Sequence, residues 1–463
     1  MKFLSLLFLG FTLYAKDAFF FEKPYLQLGD RPKLSSKGLD LMWIGHDRDI
    51  AWTVEYKTSK KWIGATPSML RRVDVTGTAA HRVYSAPLAK LKPGKPFTYR
   101  ISSAGKIVFE ASAIARKPKK AASHFVVFGD CAANTIGQRE VAYQVAQQKP
   151  DYIFITGDIV YSRGRVSEYQ TNFWPVYSAD QADPKVGAPL LSGTLFTGVI
   201  GNHDSQPLID FDTNPDALAF YHYWSLPLNG PTLTPGAKNT PELKGNETIK
   251  KNFLAATSNT FPRMANYSFD YGTVHWTVID SNVYVDWSSP EFREWLREDL
   301  KAASKAKWRI VGFHHPPFNS SKAHFKEQRI RMLAEIFEAG KVDLVMSGHV
   351  HNYQRTHPLT FQVEPGFVLG KNTEVPGKWT LDKSFDGDKN TKPNGVLYII
   401  TGAAGANLYN REQNGDPSSW LDFTNKFVSD VHSFTVIDAE TKQLQIRQIS
   451  AAGKELDHFT ITR

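Results

Sequence analysis

Apolar residues along this chain of 463 residues recur with two different periods. Up to about residue 116 the period is two. Trp52, Val54 and Tyr56 alternate with Thr53 and Glu55, as in a strand with one buried face. Runs of the same kind at 39–44, 81–85, 97–101 and 106–111 are separated by turn formers such as Pro93-Gly94 and Ser102-Ser103-Ala104-Gly105. Short strands at regular intervals predict an all-β sandwich of immunoglobulin or fibronectin type over 21–116. No convergent polar cluster occurs there, so a structural or docking role is expected.

Beyond a basic, proline-containing stretch at 116–120 the pattern changes. Apolar runs at 124–128, 151–156, 195–200, 274–279, 308–313, 342–346 and 396–400 read as strands buried on both faces. Helical periods lie at 138–148, 290–303 and 325–339, with Pro290 suited to a first turn. Alternating strands and helices predict an α/β domain over 117–463. Residues 205–263 are rich in Pro, Asn and Thr with little periodicity, and are expected to wall or cap a site. Alternation returns over 433–462 and predicts one or two closing strands.

Composition narrows the class. The length exceeds what one core commonly serves, which agrees with two domains. The net charge of +9 would suit nucleic acid if it were clustered, but no block of five like charges occurs and no RNA-binding signature is present. Specific nucleic-acid binding is therefore not expected, whereas anions are favoured. Lys2, the apolar run 3–14 and Ala15 have the form of a secretory signal peptide over 1–15, predicting a secreted or periplasmic protein. That run is too short to span a bilayer and no later segment reads as transmembrane, so no membrane anchor is expected. The single cysteine, Cys131, allows no internal disulfide, argues against a thiolate zinc site and is expected to be a small buried side chain.

Chemistry concentrates in five polar clusters, each closing an apolar run. They are Gly129-Asp130, Gly157-Asp158-Ile159-Val160-Tyr161, Gly201-Asn202-His203-Asp204, His314-His315-Pro316 and Gly348-His349-Val350-His351. In open α/β sheets, ligands gather beyond the carboxyl ends of strands, where loops present side chains from a rigid frame. One Asp after a strand is commonplace as a turn former, and one His beside an apolar run is commonly a core residue. Five such coincidences in one domain point to a site for two metal ions and to hydrolysis of a phosphate ester. In His349-Val350-His351 an extended backbone would put both rings on one side, whereas a tight loop would send them to adjacent metals. A phenolate is a hard anionic donor, so Asp130, Asp158, Tyr161 and one histidine suit Fe(III). Asp158, Asn202 and two histidines suit a divalent ion such as Zn, Fe or Mn.

These motifs resemble those of the purple acid phosphatases within the calcineurin-like metallophosphoesterase superfamily. The family pattern of Asp-x-Gly, Gly-Asp-x-x-Tyr, Gly-Asn-His-Asp/Glu, Val-x-x-His and Gly-His-x-His appears as Asp130-Cys131-Ala132, 157–161, 201–204, Val311-Gly312-Phe313-His314 and 348–351. Ala132 departs from the family's glycine. The resemblance implies a four-layer α/β/β/α sandwich preceded by a fibronectin type III-like domain. It assigns Asp130, Asp158, Tyr161 and His351 to Fe(III), and Asp158, Asn202, His314 and His349 to the divalent ion, with Asp158 bridging. His203 and His324 match substrate-contacting histidines, and His315 is placed either against substrate or in packing beside a ligand. The activity implied is acid-phosphatase hydrolysis of small phosphate monoesters by a hydroxide held at the metals. A phosphodiesterase or phospholipase of the same superfamily is the rival reading, followed by a non-catalytic secreted binding protein with a metal-stabilised core.

Overall fold

A computed structural model describes residues 18–32, 38–205, 208–370 and 373–463; the predicted signal segment 1–15 lies outside the described residues. Two sheets make the strands between Phe20 and Ile114 a sandwich. One holds Ile63–Ala65, Trp52–Lys57, Pro96–Ser103 and Lys106–Ile114 in that spatial order; the other holds Phe20–Gln27, Leu39–His46, His81–Leu88 and Ser68–Val73. Their alternating apolar faces meet through aromatic rings, with Trp43 stacked on Tyr84 at 5.5 Å and edge-on to Trp52 at 5.8 Å.

The α/β part is built from two further layers of strands. Ser123–Phe128, Tyr152–Ile155 and Leu195–Gly198 run parallel, and Ser433–Ala439, Gln443–Ser450 and Glu455–Thr462 extend them antiparallel. The tail thus supplies three strands, where one or two were expected. Leu26 pairs with Leu195, so the sandwich's strand Phe20–Gln27 continues this sheet into a ten-stranded one. The facing sheet has seven strands, with Val274–Val278, Trp308–Gly312, Leu344–Ser347 and Leu397–Thr401 parallel at its centre. Both layers are apolar on each face, as the continuous runs demand. Between them Phe154 stacks on Trp276 at 4.3 Å, and Trp276 Nε1 donates to Tyr152 Oη at 2.9 Å. Helix Ile136–Gln148 covers one outer face; Pro290–Ala302 and Ala334–Ala339 cover the other over a separate apolar cluster. This is the four-layer α/β/β/α sandwich.

The stretch 116–120 is fastened to the α/β part: buried Arg116 donates to the Asp270 carbonyl at 2.5 Å, and Lys117 pairs with Asp151 at 2.6 Å. The span 205–263 carries more order than its sequence indicates, with helices Phe220–Tyr223 and Glu247–Ala256. It buttresses the loop after Tyr161, where Ala219 N–H donates to the Gly164 carbonyl at 2.9 Å. On its other side it meets the sandwich, where Tyr25 Oη donates to the Tyr223 carbonyl at 2.7 Å.

The predicted helix 325–339 is a correction. Its first half is turn and 3-10 structure, Arg329–Leu333, and α-helix begins only at Ala334. His324 adopts a left-handed φ of 55°, Gln328 N–H donates to the Thr373 carbonyl, and buried Arg331 donates to the Pro317 carbonyl at 2.6 Å. Those tertiary bonds outcompete the local helical ladder, although Ile330, Leu333, Ile336 and Phe337 still face the core as the periodicity requires.

Candidate metal centre

All five clusters lie just past parallel strands. Asp130 follows Ser123–Phe128, Asp158 follows Tyr152–Ile155, Asn202 follows Leu195–Gly198, His314 follows Trp308–Gly312 and His349 follows Leu344–Ser347. The chain must turn sharply there to aim side chains at one point, and Asp130, Asp158 and His349 take positive φ values of 57°, 47° and 67°. Neighbouring glycines make room for the carboxylates. A Cβ on Gly201 would lie 2.1 Å from Asp158 Oδ1, and one on Gly348 would lie 2.5 Å from Asp130 Oδ2.

The nine predicted residues come together. Tyr161 Oη lies 3.0 Å from Asp130 Oδ1, 3.1 Å from Asp158 Oδ2 and 3.0 Å from His351 Nε2. His314 Nε2 lies 3.0 Å from Asn202 Oδ1, 3.3 Å from Asp158 Oδ1 and 3.2 Å from His349 Nδ1. The two carboxylate oxygens of Asp158 thus face different clusters. His349 and His351 diverge, as a tight loop rather than an extended strand requires. His203 and His324 stand at the rims. His203 Nε2 is 3.8 Å from Asp158 Oδ2, and the His324 ring is centred 4.0 Å from that of His349. His315 is buried with Nδ1 2.9 Å from Ser281 Oγ, packed beside His349. Cys131 is buried, and burial pushes its thiol up.

Hydrogen bonds at the far side of each ring test whether this set fits cations. His314 Nδ1 donates to the Thr156 carbonyl at 2.9 Å and His351 Nδ1 to the Asn407 carbonyl at 2.7 Å. His349 Nε2 donates to Glu327 Oε2 at 2.9 Å. With those nitrogens committed as donors, the other nitrogen of each neutral ring turns a lone pair inward. Three imidazole lone pairs therefore converge with two carboxylates and an amide oxygen, an assembly of acceptors that a cation satisfies. Burial raises the Tyr161 phenol well above its usual range and the adjacent Asp130 and Asp158 add to it, so a phenolate there needs positive charge beside it. Burial would depress His314, but the Asp158 carboxylate outweighs it and, where no cation stands beside it, raises the ring to about 9, so a proton takes the place that a cation would fill. Each direction marks negative charge in want of a counter-ion.

Three residues support the site: Asp204, which the motifs contain without showing its role, and Glu327 and Tyr409, which lie outside them. Asp204 receives the backbone N–H groups of Gly201, Ile159 and Val160 at 2.8, 3.0 and 3.3 Å, clamping two site loops together. Glu327 also receives His324 Nδ1 at 2.7 Å. Tyr409 stacks on His351 with ring centres 4.0 Å apart. Glu327 had one available signal, its spacing of three from His324.

The model of the calcineurin-like phosphoesterase family matches residues 123–353. Purple acid phosphatase 21 of Arabidopsis thaliana is 25% identical over 338 residues, covering 70% of this chain and 66% of that protein. Probable inactive purple acid phosphatase 1 of the same plant is 24% identical over 412 residues, covering 82% of this chain and 58% of its own length. The match to each thus spans less than two thirds of the relative. The structure of purple acid phosphatase PPD1 from yellow lupin seeds superimposes with a TM-score of 0.65 at 18% identity, covering 96% of this chain and 75% of that one, which shows a shared fold.

Proposed function

Because this chain belongs to the calcineurin-like phosphoesterases and resembles the purple acid phosphatases among them, we propose that it is an exported phosphatase that hydrolyses small phosphate monoesters at two metal ions. The observation that carries this reading is the divided aim of Asp158, one oxygen 3.1 Å from Tyr161 Oη and the other 3.3 Å from His314 Nε2. A carboxylate placed so would offer one oxygen to each of two cations. Asp130, Asp158, Tyr161 and His351 would hold Fe(III), and Asp158, Asn202, His314 and His349 a divalent Zn, Fe or Mn ion. Bound there, the ions would supply Lewis acidity and lower the pKa of water from about 15.7 to near 7, or further for the trivalent ion.

The chain's own residues do the rest. His203 Nδ1 donates to the Ser162 carbonyl at 2.8 Å and His324 Nδ1 to Glu327, which leaves Nε2 of each ring free for substrate. Protonated there, the two rims would bind the dianionic oxygens of a monoester and deliver a proton to the leaving oxygen. Export rests on the predicted signal segment; among the described residues no helix is long and apolar enough to cross a membrane. Residues 21–116 are proposed as a supporting domain and 117–463 as the catalytic one.

Phosphate release from a monoester and from a matched diester, with wild type and Asp158→Ala, tests this reading. Monoester turnover that vanishes in the variant supports it. Preference for the diester favours the phosphodiesterase rival, and no turnover by metal-loaded wild type favours a non-catalytic binding protein.

A further inference from the structure

Beside His324 and Glu327 opens a groove of about 690 Å³, a size suited to a small organic group. Its walls differ in character from the metal cluster. Phe325 lies along it with 37% of its surface exposed, so its ring is open to a ligand in the groove. Trp420 forms another wall, held by a hydrogen bond from Nε1 to the Gln413 carbonyl at 3.0 Å and by stacking on Phe427. Two lysines line the same groove. Lys322 is 3.2 Å from Glu412, whereas exposed Lys326 has no ion pair among the described residues. Glu327, the groove's carboxylate, is already engaged by His324 and His349.

A rigid ring, an exposed ring and an unpaired ammonium therefore border the rim where His324, one of the two histidines proposed to deliver a proton to the leaving oxygen, stands. Resting on the phosphatase reading, we infer that this groove is the leaving-group subsite and selects phosphate monoesters whose leaving group carries an aromatic ring and a second negative charge. In the reaction the P–O bond to that ring breaks, water supplies oxygen to phosphorus and a proton passes to the departing phenolic oxygen. The ring then sits against Phe325 and Trp420, and its anionic substituent meets Lys326.

The test compares kcat/KM for phenyl phosphate, 4-carboxyphenyl phosphate and glycerol 2-phosphate in the purified metal-loaded protein. Intrinsic leaving-group reactivity cancels when the same ratio is compared between wild type and a variant. Lys326→Ala should lower the carboxyphenyl-to-phenyl ratio about threefold, and Lys326→Glu should lower it further. Phe325→Ala should lower the phenyl-to-glycerol ratio about fivefold. Both positions are exposed, so the variants fold, and turnover of glycerol 2-phosphate serves as the control, staying within about twofold of wild type. Active variants with both ratios unmoved overturn the subsite while leaving the phosphatase reading intact. Failure of wild type to cleave any of the three esters removes that reading, and the subsite with it.

Discussion

Glu327 Oε2 lies 2.9 Å from His349 Nε2, and this contact decides which nitrogen of the ring faces the metal cluster. The same carboxylate holds His324, so a single acid orients one inferred ligand and one rim histidine. Burial alone would raise its pKa, but the two histidines hold it well below the usual carboxylate range. Replacing Glu327 by Ala should weaken retention of the divalent ion by about 10- to 100-fold. Metal content after dialysis against graded chelator measures this, and wild-type retention would show that His349 needs no orienting partner.

Gly201 has no room for a side chain, since its Cβ would fall 2.1 Å from Asp158 Oδ1 and 2.3 Å from Asp158 N. Gly201→Ala must move the bridging carboxylate or the loop that carries it. A displacement on the order of 1 Å costs about a hundredfold in rate at such sites. The expected result is a folded protein, by circular dichroism, with at least that loss in kcat/KM.

Tyr161→Phe removes the phenol oxygen and keeps the ring, which packs 4.6 Å from His203. With Fe(III) at the Asp130–Tyr161–His351 cluster, the variant should lose the visible absorption band while keeping iron. A band that persists would place the chromophore elsewhere.

His275 gives the fold a pH dependence remote from the metal centre. Its ring nitrogens lie 2.8 Å from Asp270 Oδ1 and 3.1 Å from Asp299 Oδ2. Burial would lower its pKa, but the paired carboxylates raise it from 6.5 to about 9. A histidine raised on folding contributes stability fully below pH 6.5, and that contribution is lost as pH rises through about 9. Its size is on the order of 3 kcal/mol. His275→Gln should therefore lower Tm clearly at pH 6, with the gap to wild type narrowing by pH 9.5. A gap that is constant across that range would rule out the charged pairing.

Strands buried on both faces, and the polar residues that end them, were legible because both signals are local. Asp130, Asp158 and His349 each directly follow a short apolar run, and the sheet brings them together without further information. Glu327 and Tyr409 were illegible for the opposite reason. Glu327 lies in a stretch whose apolar positions fit a helix, and tertiary contacts of Glu327 to His349, Gln328 to Thr373 and Arg331 to Pro317 hold that stretch out of one. Tyr409 earns its place by stacking on His351, a contact across 58 positions that no local pattern encodes. The order within 205–263 was hidden likewise, because its aromatic residues pack on one another across long sequence separations, Phe211 on Phe253 and Tyr221 on Phe261, and on Tyr169 and Phe173, rather than along one periodic face.

Metal stoichiometry asks whether two ions share Asp158. Inductively coupled plasma mass spectrometry of wild type should find two metal ions per chain, one of them iron, and Asp158→Ala should lose tight binding of both. A wild type that holds no more than one ion, or an Asp158→Ala protein that still holds two, would contradict the bridge on which the account stands.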